Sequence, residues 1–149
     1  QNPSDSYQLL FTSRLYEFLY HLCRSYSHQI PSASLTGSQR DLQRVTHVMN
    51  WVKVHYPEPL SLETAADSLA LSKEYFCQDF KKYTGQTFLE YLNDVRTMHL
   101  YEDLQNSDET ITVLMEKNGL SNYKIFMRTF KKLYGSTPQK MRSNRIRRV

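Results

Sequence analysis

The six residues FKKYTG at 80–85 return, nearly unchanged, as FKKLYG at 130–135. Each time a pair of ammonium groups, Lys81 and Lys82 or Lys131 and Lys132, follows an aromatic residue and precedes a glycine. Such pairs suit phosphate oxygens, which a lysine meets as a mobile point charge. Four residues before each aromatic anchor stands a second one, so Phe76 joins Phe80 and Phe126 joins Phe130. On a helix that spacing puts both rings on one face, and the face must turn inward. Lys73, Glu74, Cys77, Gln78 and Lys81 then point outward in the first stretch, and Tyr123, Lys124, Met127, Arg128 and Lys131 in the second. A helix that mixes long donors with side chains able to touch base edges fits the major groove of duplex DNA.

Two such helices need elements to hold them, and the periodicity around them is helical throughout. Leu62, Ala65 and Ala66 correspond to Ile111, Leu114 and Met115 at an offset of 49, whereas Phe76, Phe80 and Gly85 correspond to Phe126, Phe130 and Gly135 at an offset of 50. One residue is therefore added in the second copy, and the reading places it at the turn marked by Gly119. Each copy becomes a short helix, a tight turn and a second amphipathic helix, which is the helix-turn-helix pattern, over about 61–85 and 111–135. Ser61 and Ser72 suit helix starts, with Glu63 in the first turn of its helix. Between the copies, residues 87–106 form one long periodic run that carries Phe88, Tyr91, Leu92, Val95, Met98 and Leu104. A continuous helix of that length spans about 30 Å, close to the ~34 Å of one DNA turn. It would hold the two outward helices against successive major-groove segments on one face of the duplex.

Upstream, residues 41–55 read as a helix closed by Pro57 and Pro59. Residues 7–26 carry Tyr7, Leu10, Phe11, Leu15, Phe18, Leu19 and Leu22 at three-and-four spacing, which predicts an isolated amphipathic helix. The serine-rich stretch that follows, with Pro31 and Gly37, reads as a linker. The expected organisation is a helical segment over 1–27, a linker over 28–40 and an all-α domain over 41–149. Gln1 in first position reads as a processed chain or a fragment of a longer one, with residues 1–27 a remnant of an upstream domain.

Charge separates the chain further. From Lys117 onward there are ten basic residues and no Asp or Glu, whereas the rest is net negative although the whole carries +4. That asymmetry points to a polyanion as the partner of the basic part. No apolar run approaches the ~20 residues of a membrane span, so no membrane partner is expected. Cys23 and Cys77 are too few for a disulfide framework, in keeping with a reducing cytoplasm. His21, Cys23 and His28 lack the spacing of a zinc site, so no metal is expected. No HExxH, GxSxG, phosphate-loop or dinucleotide fingerprint occurs, so no cofactor or catalytic residue is assigned.

The stretches LSLETAADSLALSKEYFCQDFKKYTGQTFLEYLNDVR and ITVLMEKNGLSNYKIFMRTFKKLYGSTPQKMR carry a resemblance. Residues 41–146 resemble the DNA-binding domain of the AraC/XylS family of bacterial transcription regulators. The second stretch matches that family's signature at Ile111, Leu114, Gly119, Phe126, Phe130, Lys131, Gly135, Pro138 and Arg142. The resemblance implies seven helices with two helix-turn-helix subdomains joined by a long central helix. It implies base-facing positions at Glu74, Cys77 and Gln78, with Lys73 beside them, and at Tyr123, Lys124, Met127 and Arg128. Ser72, Lys81, Lys82, Arg96, Ser121, Lys131 and Lys132 fall at phosphate-contacting positions. Double-stranded promoter DNA and RNA polymerase are the implied partners, with an upstream sensing and dimerisation domain and a homodimer through residues 7–26. Met115 departs from the family's small alanine, Leu120 from its phenylalanine and Ile125 from its tyrosine. The alternative function is a helical protein-interaction module docking on an acidic partner.

Overall fold

A computed structural model describes residues 37–146, with side chains through Ser143, and every regular element in this part is a helix. The helices are α1 (Gly37–His55), α2 (Leu62–Asp67), α3 (Lys73–Thr84), α4 (Phe88–Asn106), α5 (Ile111–Lys117), α6 (Tyr123–Tyr134) and α7 (Pro138–Ile146). The segment 7–26, and with it the expected helix, lies outside the described residues. So do Cys23 and most of the expected linker, but its last four residues are already helical, because nothing after Gly37 breaks the helix. Among the described residues, those from 41 to 146 belong to one compact unit.

Local chemistry places the helix ends. Ser61 and Thr64 cap α2 reciprocally: Ser61 Oγ accepts from the Thr64 amide at 3.1 Å, and Thr64 Oγ1 accepts from the Ser61 amide at 3.0 Å. Thr87 and Glu90 do the same for α4. Asn122 caps α6 by accepting from the Ile125 amide at 3.0 Å, the part Ser72 plays for α3. The two caps are 50 residues apart, whereas the turns before them match at 49. Leu71 donates to the Ala66 carbonyl as Leu120 donates to that of Met115, and Ala70 to that of Asp67 as Gly119 to that of Glu116. The added residue is therefore Ser121, after the turn, and not Gly119 within it.

Two cores lie along α4. The first joins Val45, Val48 and Val52 of α1 with Ala65, Ala66, Phe76 and Phe80, and takes Phe88, Tyr91, Leu92 and Val95 from α4. The second joins Leu114, Met115, Leu120, Phe126 and Phe130, and takes Leu100 and Leu104 from the other end of α4. At 3.6 residues per turn the two sets of α4 side chains point about 150° apart. One helix thus serves two subdomains from nearly opposite faces, and Met98, which sequence periodicity counts with the apolar run, is exposed. The inward-facing phenylalanines stack as ladders, with Phe76 to Phe80 tilted at 5.5 Å and Phe126 to Phe130 edge-on at 5.7 Å between centroids. Met115 is buried in the second core where the related family has a smaller residue, and Leu120 fills the neighbouring space.

Candidate nucleic-acid interface

Burial of the phenylalanine ladders determines what α3 and α6 present to solvent. On α3, Lys73, Glu74, Cys77, Gln78 and Lys81 are exposed; on α6, Tyr123, Lys124, Arg128 and Lys131 are exposed. Met127 differs from expectation: it is half-buried and packs against the second core, whereas Cys77 at the equivalent position of α3 is exposed.

The two surfaces differ in charge. Helix α3 carries Lys73, Lys81 and Lys82 against Glu74 and Asp79, whereas α6 carries Lys124, Arg128, Lys131 and Lys132 and no acid. Lys73 is further tied to Glu63 at 2.6 Å, a hydrogen bond that lowers the Glu63 carboxyl to about 2. Asp79 is buried beside Asp41, and burial first, then the Asp41 charge, raises its carboxyl above the ordinary range, while Lys82 and Arg44 oppose this. Its Oδ2 has no hydrogen-bond partner among the described residues.

The lysine pairs are not alike within themselves. Lys81 and Lys131 are exposed with no side-chain partner among the described residues. Lys82 lies 4.9 Å over the Tyr83 ring, and Lys132 reaches the Asp94 carboxylate on α4 at 3.1 Å. Ser72 caps α3 through its oxygen lone pair, at 3.2 Å from the Tyr75 amide, which leaves its hydroxyl proton available to a phosphate. Ser121 is exposed, and the cap of α6 is Asn122 instead.

Arg96 is placed elsewhere. Its Nε donates to the Tyr56 carbonyl at 2.7 Å and its Nη2 to the Glu58 carbonyl at 2.6 Å, which binds the loop after α1 to the central helix. The partly buried guanidinium is held by backbone and does not join the exposed cations of α3 and α6. Sequence spacing could not reveal this, since the carbonyls it meets lie 40 and 38 residues away. Asn118 was also silent in the sequence: it is buried, and its Nδ2 donates to Asp103 at 2.8 Å and to the Leu114 carbonyl at 2.9 Å, tying the second turn to α4.

Among the described residues no group of His, Cys, Asp and Glu is arranged to hold a metal ion, and no helix is long and apolar enough to cross a membrane. His21, Cys23 and His28 lie outside those residues.

Residues 65–144 match a family model described as a helix-turn-helix domain. An uncharacterized helix-turn-helix transcriptional regulator of Staphylococcus aureus is 33% identical over 102 residues, which is 68% of this chain and 14% of that one. The transcriptional activator RhaS of Escherichia fergusonii is 30% identical over 111 residues, covering 74% of this chain and 40% of RhaS. This chain thus spans well under half the length of either relative. Among solved structures, a Chromobacterium violaceum transcriptional regulator with an AraC-type DNA-binding domain superposes with a TM-score of 0.59 at 26% identity, covering 73% of this chain and 95% of that one. With two helix-turn-helix units sharing one central helix, and with a family match over more than half its length, this chain belongs to the AraC/XylS family of helix-turn-helix transcription regulators.

Proposed function

We propose that the chain binds bacterial promoter DNA by laying α3 and α6 into successive major-groove segments on one face of the duplex. The observation that carries this reading is the pairing of two exposed polar helix faces on a single 19-residue rod, about 28 Å long. In this assignment Lys73, Glu74, Cys77 and Gln78, together with Tyr123, Lys124 and Arg128, face bases, with Met127 touching an apolar edge. Ser72, Lys81, Lys82, Ser121 and Lys131 meet phosphates, and Lys132 lies beside them with its charge largely offset by Asp94. Arg96 is removed from that set because its guanidinium holds the loop after α1. The acid-free charge of α6 supports a larger electrostatic share for the second motif, and the mixed charge of α3 a larger share of discrimination for the first. RNA polymerase and a second copy of the chain, paired through residues 7–26, complete the proposed set of partners in the cytoplasm.

Selection from random duplex tests the reading. The expected product is an asymmetric site whose two halves are about 10.5 base pairs apart, centre to centre. Arg128→Ala should relax preference at one position of that site at a cost of about 1–3 kcal/mol. Recovery of no enriched sequence, or an equal loss on every sequence, would refute the assignment. The alternative of an acidic protein partner predicts binding that competitor DNA leaves untouched, and nothing in the exposed faces favours it.

A further inference from the structure

The seam between the two subdomains contains one contact that the helix-turn-helix pattern does not require. The turn between α5 and α6 holds Gly119 at φ 71°, and a Cβ built there would lie 2.6 Å from the Pro57 carbonyl oxygen and 3.1 Å from Arg96 Nε. The matching turn of the first unit places Ala70 at φ 53° with the same hydrogen bonds, and Ala70 is exposed. The turn itself therefore accepts a Cβ. What excludes one at 119 is the backbone of the loop after α1, pressed against the second unit.

That loop is held from three sides. Arg96 binds the Tyr56 and Glu58 carbonyls, the Tyr56 ring stacks on His99 of α4 at 4.0 Å and 5°, and Gly119 closes on Pro57. Along α4, Arg96 projects between the two opposed apolar faces. Beside the contact a cleft of about 830 Å³ opens, lined by Leu60, Met115, Glu116 and Tyr123 among others.

We infer that the Tyr56–Pro59 loop, clamped between Arg96 and Gly119, is the positioning device that sets the angle between α3 and α6, and through it the half-site spacing the chain accepts. The inference rests on the DNA-binding reading for its consequence, but its structural part can be measured without DNA.

Spin labels on Cys77 and on a cysteine introduced by Lys124→Cys, with Cys23→Ser to remove the other thiol, report the distance between the two exposed helix faces. The unaltered seam should give one narrow distribution. Gly119→Ala should shift it and Arg96→Ala should broaden it. Gly135→Ala is the control: it imposes similar left-handed strain at φ 66°, with nothing within 4 Å of the new Cβ, and should leave the distribution unchanged. Unchanged distributions in both seam variants, or equal changes in all three glycine and arginine variants, overturn the inference. Far-UV circular dichroism identifies a variant that has lost its helices, and Arg96→Ala, which adds no clash, then decides the matter.

The selected duplex supplies the second readout. Gly119→Ala should lower affinity for the two-half site by about tenfold, leave a single half-site unaffected, and move the preferred spacing. If the parent chain enriches no sequence while the distances behave as stated, the DNA reading fails and the positioning role stands. If the parent binds a two-half site and the variants keep both its spacing profile and its distances, the positioning role alone fails.

Discussion

Lys131 and Lys132 are neighbours in sequence and unequal in surroundings, and the salt dependence of duplex binding should separate them. Each phosphate neutralised by a free cation adds about 0.9 to the slope of log affinity against log salt. Between 50 and 200 mM salt, a fourfold change, one such contact accounts for roughly a 3.5-fold loss of affinity. Lys131 is exposed with no side-chain partner among the described residues, so Lys131→Ala should remove nearly the whole increment. Lys132 keeps its Nζ 3.1 Å from Asp94 Oδ2 and 3.4 Å from Oδ1. An ammonium that retains a carboxylate at that distance presents little net charge to a phosphate, so Lys132→Ala should change the slope by less than half as much. Asp94→Asn releases the lysine: affinity should rise at low salt, the slope should steepen by up to about 0.9, and Lys132→Ala in that background should then cost as much as Lys131→Ala. Fluorescence anisotropy of a labelled duplex, titrated at four or five salt concentrations, reads all of these. Equal slopes for the two lysine variants, with and without Asp94→Asn, would refute the argument. The Asp94 side chain is only 16% exposed and loses its partner when Lys132 is replaced, so thermal melts of each variant separate an effect on folding from the effect on the salt slope.

Two further predictions concern stability. Ala70→Gly relieves an L-residue held at φ 53° and should stabilise the domain by about 1 kcal/mol, read as a rise in melting temperature; no rise would mean that the turn is unstrained. Asp79 has its carboxyl raised by burial and by Asp41, so between its ordinary and its raised value the folded state binds more protons than the unfolded state. Stability must then fall as pH rises through that window, and Asp79→Asn should stabilise the domain at neutral pH, with little effect in acid. Thermal melts of both proteins across pH 3 to 7 check the sign, and an asparagine variant that melts lower at neutral pH would show the carboxylate to be stabilising.

Periodic features were legible in the amino-acid sequence because they depend on neighbours in the chain. Helix spacing exposed the doubled helix-turn-helix, the inward Phe76–Phe80 and Phe126–Phe130 pairs, and the outward residues Lys124, Arg128 and Lys131. Caps and stops at Ser61, Ser72, Gly85 and Gly135 followed from side-chain and backbone chemistry within a few residues. Even the extra residue of the second copy was visible as a change of offset, although only the cap at Asn122 located it at Ser121.

What the tertiary structure decided are contacts between residues remote in sequence, where spacing carries no information. The apolar residues of α4 read as one stripe, yet they divide between two cores on nearly opposite sides of the helix. Arg96, a phosphate-contacting position by the family resemblance, meets carbonyls 40 and 38 positions away; Lys132 finds Asp94 38 positions back. Gly119 appears in the sequence as a turn glycine, but in the fold the approach of Pro57 is what forbids a side chain there. Local sequence determined which helices form and which faces they turn outward, since backbone hydrogen bonding and side-chain period act over one or two turns. The angle at which those faces are held, and which cations remain free to meet a phosphate, depended on packing across the chain.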